Sequence, residues 1–144
     1  MEKYGDLEIT ILSCLLMKPD LMEKIKLEDK YFIKNKRIWL FMKTFYKRFK
    51  NFDIPLMLSV ASNKYAIREY IKRLLEIESM PSHFETYQEQ LIRSYNETKK
   101  NKWIREKVYE LATKLYVTTI TPDEFKNKID QMYKDADEIF KEEK

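Results

Sequence analysis

The chain is 144 residues long, with 36% charged and 44% hydrophobic residues and a formal net charge of +4. This length favours one globular domain, and a content of one glycine and four prolines favours helices joined by short turns. The sequence excludes a bilayer-spanning run of about 20 apolar residues. Its lone cysteine, Cys14, is typical of a reducing compartment, so we expect a soluble cytoplasmic protein.

The first half of the chain shows apolar residues at helical spacing. A first helix is predicted to end before Pro19, and residues 34–50 form a strongly amphipathic helix. Asp53 is placed to cap a short helix, and another helix is predicted over residues 66–78. No segment shows the alternation of apolar and polar residues that predicts a strand.

Two capping boxes predict where the last two helices begin. The segments Ser82–Glu85 and Thr121–Glu124 each place a hydroxyl three residues before a glutamate. The first helix is predicted over residues 82–116, a length of roughly 50 Å at 1.5 Å per residue. The second is predicted over residues 122–140, with proline at its favoured first position.

The apolar face of the long helix changes side near residues 96–107. At about 100° per residue, Ile104 lies roughly 200° around the axis from Phe84. That stretch contains no proline or glycine to break the helix, so we predict a continuous helix whose two halves pack against different structures. The sequence therefore predicts an all-α fold: a compact helical head, about residues 1–95, and a protruding antiparallel helical hairpin, about residues 96–141.

Such a hairpin has two apolar stripes and cannot bury both of them well alone. We expect a second copy of the chain to cover the remainder. The stripes would be divided between the seam inside the hairpin and a homodimer interface. The predicted interface residues are Trp103, Ile104, Val108, Leu111, Leu115, Phe125, Ile129 and Met132.

The helix over residues 34–50 carries a basic face away from its apolar stripe. A solvated helix face is the simplest interpretation, and a face that contacts phosphates is the alternative. Leu40 falls among these cations. A single exposed leucine is ordinary, but this one also hints at a contact site. The predicted partner or nucleic-acid face comprises Lys36, Arg37, Leu40, Lys43, Lys47 and Arg48.

Signatures of catalysis are missing from the sequence. With one glycine there is no glycine-rich phosphate loop. The one histidine, His83, lies within a capping box, where a surface position is expected. The densest acidic group, Asp135, Asp137 and Glu138, is more typical of a polar helix face than of a cation site. We expect a chain that is not itself an enzyme and has no catalytic residues, metal or cofactor.

Four segments share an order and spacing with a known family. Residues 8–46 have a glutamate before an apolar helix, then the pair Tyr31-Phe32 and a basic, aromatic helix. Residues 52–55 read FDIP, residues 83–116 form a long helix with tyrosine and arginine, and residues 125–141 form a closing helix. In this order they resemble the N-terminal domain of DnaB-type replicative DNA helicases, over most of the chain.

The resemblance implies a single domain over residues 1–144 that is non-catalytic and serves protein interaction and oligomerisation. It implies homodimers, a collar of three such dimers, and binding of the primase C-terminal domain or a helicase loader during DNA replication. The ATPase domain of such a helicase would lie outside these residues. The chain departs from the family at two places. It has Asn35 where the family has a histidine, and it has no glycine in residues 63–66, where the family often has a glycine pair.

Two alternatives stay open. One is a stand-alone phage or plasmid protein that loads, caps or inhibits a host helicase or primase. The other is a helical protein that binds nucleic acid through the face on residues 34–50. For the helicase-type domain, only weak contact with DNA is expected, because the net charge is modest.

Overall fold

The computed structural model describes residues 3–141, with side chains from Leu7 onward. These residues form α-helices and short 3-10 helices with no strand among them, so the predicted all-α class is confirmed. None of the helices in this described part is long and apolar enough to cross a membrane. The helices are α1 (Lys3–Met17), α2 (Lys36–Phe49), α3 (Ile54–Val60), α4 (Tyr65–Leu75), α5 (Phe84–Tyr116) and α6 (Pro122–Ile139).

The chain divides into two compact units, Met1–Ile92 and Arg93–Lys144. The division falls inside α5, three residues before the predicted boundary between head and hairpin. Helix α5 is uninterrupted through residues 96–101, as the absence of proline and glycine predicted. Its residues up to Ile92 pack in the first unit and the rest belong to the second, which accounts for the change of apolar face.

The core of the first unit is built from α1, α2, α3, α4, the beginning of α5 and residues of the segments that connect them. Helix α1 packs against α4, and α2 packs against α4 as well. Residues 11–16 of α1 are all buried, so this helix is surrounded rather than half-covered. Beside it, the rings of Phe32 and Trp39 stack with centroids 4.5 Å apart and an interplanar angle of 11°. This core holds α2 in place and leaves its basic side in solvent.

A buried carboxylate joins α1 to the beginning of α2. Oε1 of Glu8 accepts hydrogen bonds from the backbone N–H groups of Lys34 (3.2 Å) and Asn35 (3.0 Å). It also accepts one from Nδ2 of Asn35 at 3.3 Å. Burial raises the pKa of the Glu8 carboxyl above its usual value of 4.5, although these bonds oppose the shift. The polar contact fixes where α2 starts relative to α1.

Two predicted helix caps are present. Oδ1 of Asp53 accepts from the backbone N–H of Leu56 at 3.0 Å, and this caps α3. At the start of α6, Oγ1 of Thr121 accepts from the Glu124 N–H at 3.1 Å, while the Glu124 carboxylate accepts from the Thr121 N–H at 3.3 Å. This reciprocal pair is the capping box that the sequence predicted.

The predicted start of α5 at Ser82 was wrong by two residues. The chain passes through a 3-10 turn, Pro81–His83, and the α-helix begins at Phe84. The carboxylate of Glu85 lies 3.2 Å from Nζ of Lys26, which is an ion pair with another segment rather than a cap. The first residue of α5, Phe84, is buried in the core of the first unit, and the local capping pattern does not account for this tertiary contact.

With so little glycine, two other residues adopt left-handed backbone, Lys50 and Thr118, each with a φ of 58°. Lys50 ends α2. Thr118 ends α5, where its N–H bonds to the Leu115 carbonyl (3.1 Å) and the Thr119 N–H bonds to the Lys114 carbonyl (2.9 Å). This pair of bonds is a Schellman motif, in which glycine normally occupies the left-handed position.

The second unit contains the later part of α5 and helix α6. Nζ of Lys100 lies 2.7 Å from Oδ1 of Asp137, and the rings of Trp103 and Phe140 meet edge to face with centroids 6.2 Å apart. Residues near the middle of α5 therefore contact residues at the end of α6, as expected for an antiparallel pair across residues 117–121. That this pair protrudes from the head stays a prediction.

Candidate functional site

An open groove lies beside α2 in the first unit. Its cavity has a volume of about 450 Å³ and is lined by residues of α2, by Val60 and by residues near the start of α4. Phe45 and Ile67 are buried at its floor, only 3% and 5% exposed. Phe41 and Phe49 are partly buried along its walls. The groove is therefore an apolar, largely aromatic recess on the basic side of α2.

Three cations border this recess: Arg37, Arg48 and Lys64. The guanidinium of Arg48 lies 5.0 Å from the centroid of the Phe49 ring, and Nζ of Lys64 lies 6.0 Å from that of Phe41. Among the residues that the structure describes, no carboxylate lines the groove. Within the described part of the chain, none of the three cations forms an ion pair. Their charges are available to a binding partner.

Leu40, which the sequence singled out, lies on the edge of this groove. Its side chain is 41% exposed, and Val60 beside the same cavity is 48% exposed. Both widen the apolar surface beyond the buried floor. Leu40 is therefore part of an exposed apolar surface at the groove. Its contact with a partner stays a prediction.

The six residues of the predicted basic face do not all border this groove. Three line it (Arg37, Leu40 and Arg48), and three do not (Lys36, Lys43 and Lys47). Nζ of Lys43 lies 3.0 Å from Oδ1 of Asp29, which also accepts from Nε1 of Trp39 at 2.7 Å. The Trp39 hydrogen bond and then that of Lys43 lower the pKa of Asp29 below its usual 3.8. Lys43 is thus engaged within the chain.

Part of the groove was not predicted from the sequence. Val60, Lys64 and Ile67 come from α3, the following turn and α4, and nothing in the α2 pattern indicates which segment lies beside it. Phe41 and Phe49 flank Phe45 at a spacing of four residues, and by itself this spacing is typical of a helix face that packs in a core. The exposed Leu40 was the one available signal.

The predicted interface residues in the second unit are mostly half-buried. Met132 is only 5% exposed, so it belongs to the seam between α5 and α6 and is not available to a partner. The remaining seven are of intermediate burial: Trp103, Ile104, Val108, Leu111, Leu115, Phe125 and Ile129. These residues keep some free surface, and their part in an interface stays a prediction.

Several exposed apolar side chains of this unit were not among the predicted interface residues. Tyr109 and Tyr116 are 75% and 87% exposed, and Tyr133 is 50% exposed. On α5, Tyr109, the exposed Ala112 and Tyr116 follow one another at steps of three and four residues, which places them on one helix face. From the sequence, Tyr116 is expected to add apolar surface beside the main stripe, but the high exposure of Tyr109 was not predicted.

Among residues 7–141, no group of three histidine, cysteine or acidic side chains is close enough to hold a metal ion. Cys14 is buried in the core, and burial raises the pKa of its thiol. Comparisons of the chain with protein-family models, curated proteins and solved structures give no significant match. The groove beside α2 and the exposed tyrosine stripe of α5 are therefore the features that bear on function.

Proposed function

We propose that this chain is a non-catalytic interaction and oligomerisation domain of the DnaB-helicase N-terminal type. In this proposal it dimerises through the second unit, contributes to a collar of dimers, and binds primase or a helicase loader during DNA replication. The proposal draws its family from the order and spacing of segments across the chain. Its physical support is the apolar surface that the second unit leaves uncovered.

The second unit is thinly packed for a pair of helices. Within its described residues, only Met132 and Ala136 are buried apolar side chains. Tyr109, Tyr116 and Tyr133 are at least half exposed. Each square ångström of apolar surface removed from water contributes about 25 cal/mol, and exposed apolar patches of this kind mark interaction sites. The stripe through Tyr109 and Tyr116 is the observation that carries the proposal.

A second copy of the chain is the simplest partner for this surface. A two-fold axis brings the same patch of both copies together, so one stripe is enough to form a self-complementary interface. Tyrosine is also enriched at interfaces, because its ring is apolar and its hydroxyl tolerates water. Three such dimers would form the collar that the family resemblance implies.

Binding of nucleic acid is the second candidate, and the unpaired Arg37, Arg48 and Lys64 favour it. Neutralising phosphates with such cations would make affinity fall steeply with salt. The net charge of +4 is small for a dedicated binder, and the groove between these cations is apolar. Direct titration with DNA at low and at physiological ionic strength separates this function from the first.

The proposed function is tested by measuring the mass of the purified chain in solution. Sedimentation equilibrium from about 1 to 100 μM in moderate salt should show a dimer or a larger even oligomer. A chain that stays monomeric at about 100 μM associates more weakly than about 5.5 kcal/mol. That result would remove the main physical support for a dimer-based collar.

A further inference from the structure

We propose that the groove beside α2 is a docking site for an amphipathic helix of a partner protein. The docked helix would carry large apolar residues along one face and carboxylates at both ends of that face. This inference deepens the proposed function and rests on it, because it names the chemistry of the partner that an interaction domain would hold there.

The shape of the groove fits the apolar face of a helix. Phe45 and Ile67 are buried at its floor, while Leu40 and Val60 extend the apolar surface into solvent at its edges. A cavity of about 450 Å³ is in the usual range for binding sites. Helices dock in such grooves by inserting residues spaced three, four and seven apart. Burial of the docked helix's apolar residues in the groove would therefore supply most of the binding free energy.

The charges around the groove specify the ends of the docked helix. Arg37 and Arg48 stand at opposite ends of the α2 side, roughly 17 Å apart at 1.5 Å per residue. Lys64 borders the cavity from the segment before α4. The described lining residues include no carboxylate, so we expect the partner to supply the negative charge. About three turns of helix with an acidic residue near each end would match this spacing.

The same geometry disfavours a nucleic acid as the occupant. Bases bind by stacking on free aromatic faces, whereas here Phe45 packs against Phe41 and Phe49, with centroids 6.2 and 4.6 Å away. Arg48 and Lys64 lie against the Phe49 and Phe41 rings. Because these ring faces are already in contact with other side chains, the groove favours aliphatic side chains over stacked bases.

The α6 helix of a second copy is acidic but a poor occupant. Its Met132 and Ala136 are buried in its own unit, and Phe140 contacts the ring of Trp103. The apolar face that would have to enter the groove is therefore already used. The partner is a different protein segment.

The test uses the full chain and two synthetic peptides with the same leucine stripe, one flanked by glutamates and the other by lysines. Fluorescence anisotropy of labelled peptide at about 150 mM salt measures binding. The acidic peptide should bind with a Kd of about 10–100 μM. The lysine peptide should bind at least about tenfold more weakly, because it faces like charges at both ends.

Three variants of the chain locate the site. Arg48→Glu and Leu40→Asp should each weaken binding of the acidic peptide at least about tenfold. Lys47→Glu makes the same charge change one residue earlier, outside the groove, and should leave binding within about twofold. All three side chains are exposed, and circular dichroism verifies that each variant remains helical. Arg48→Glu should also improve binding of the lysine peptide.

Three results would each overturn the proposal. The two peptides could bind alike, Lys47→Glu could weaken binding as much as Arg48→Glu, or a single-stranded oligonucleotide could bind more tightly than the acidic peptide. The mass of the same samples keeps this proposal separate from the proposed function. A monomer that binds the acidic peptide through Arg48 supports docking and contradicts the dimer, and a dimer that binds no peptide does the reverse.

Discussion

Glu8 and Asn35 are joined by a buried hydrogen bond of 3.3 Å between Oε1 and Nδ2. Both residues lie within residues 8–46, one of the segments behind the expected resemblance to a helicase family, and that resemblance stays a prediction. Within residues 7–141, the second carboxylate oxygen, Oε2, has no hydrogen-bond partner. Two residues that are 27 positions apart in the sequence are therefore in direct contact.

Replacing Glu8 by glutamine should change how stability depends on pH. Burial raises the folded-state pKa of Glu8 above 4.5, so the folded chain holds this proton more tightly than the unfolded chain does. The resulting stabilisation is complete below about pH 4.5 and is lost as pH rises through the folded pKa. The free energy of unfolding of wild type minus that of Glu8→Gln should thus fall as pH rises.

Urea denaturation at several pH values measures this difference, and a difference that rises with pH would contradict the argument. Glu8→Ala is the companion variant. It removes the acceptor of the Lys34 and Asn35 donors and should cost about 2–3 kcal/mol at low pH and less as pH rises.

Trp39→Phe should destabilise the first unit by roughly 1–3 kcal/mol. The variant keeps a ring to stack on Phe32 but loses the Nε1 hydrogen bond to Asp29. That bond is the main cause of the lowered Asp29 pKa. Asp29 stabilises the fold above about pH 3.8 and loses this contribution as pH falls, so the acid-side loss of stability should be smaller in the variant.

The matched control for this variant is Trp103→Phe, the same chemical change in the second unit, where the half-buried ring contacts Phe140. It should cost less than about 1 kcal/mol and leave the acid dependence unchanged. Chemical denaturation followed by circular dichroism measures both variants. An equal loss for the two substitutions would show that the Asp29 bond does not contribute.

Thr118→Gly should stabilise the protein by about 1 kcal/mol. Thr118 has a left-handed backbone with a φ of 58°, a conformation that a β-branched residue adopts only at a cost and glycine adopts freely. The melting temperature should rise accordingly. Thr119→Gly, at the next residue, which lies outside the left-handed region, should bring no gain because it only adds freedom to the unfolded chain.

Replacing both Tyr109 and Tyr116 by lysine should shift the chain to monomer. Each substitution removes an exposed aromatic side chain from the proposed interface, and loss of a central aromatic commonly costs over about 2 kcal/mol of association. Tyr65→Lys is the matched control, because Tyr65 is 76% exposed and Tyr109 is 75% exposed, but Tyr65 lies in the first unit. Sedimentation equilibrium should show dimerisation weakened only in the double variant.

The candidate site divides into a part that the sequence could predict and a part that it could not. An exposed Leu40 among cations follows from helical spacing alone. The tertiary structure decides which cations border the groove. Arg37 and Arg48 do so because the start of α4 lies beside them, whereas Lys43 forms an ion pair with Asp29. Likewise, the long apolar stripe of α5 was visible in the sequence, but its half-buried state and the greater exposure of Tyr109 were not.

The sequence by itself determined the all-α class, the continuity of α5, and the caps at Asp53 and Thr121. These features depend on residues three or four positions apart, and such interactions are present in any helix of that sequence. The tertiary structure decided the contact between Glu8 and Asn35, the 3-10 entry to α5, and the groove. Each of these joins segments far apart in the chain or depends on their packing, and helical periodicity says which face is buried but not which segment covers it.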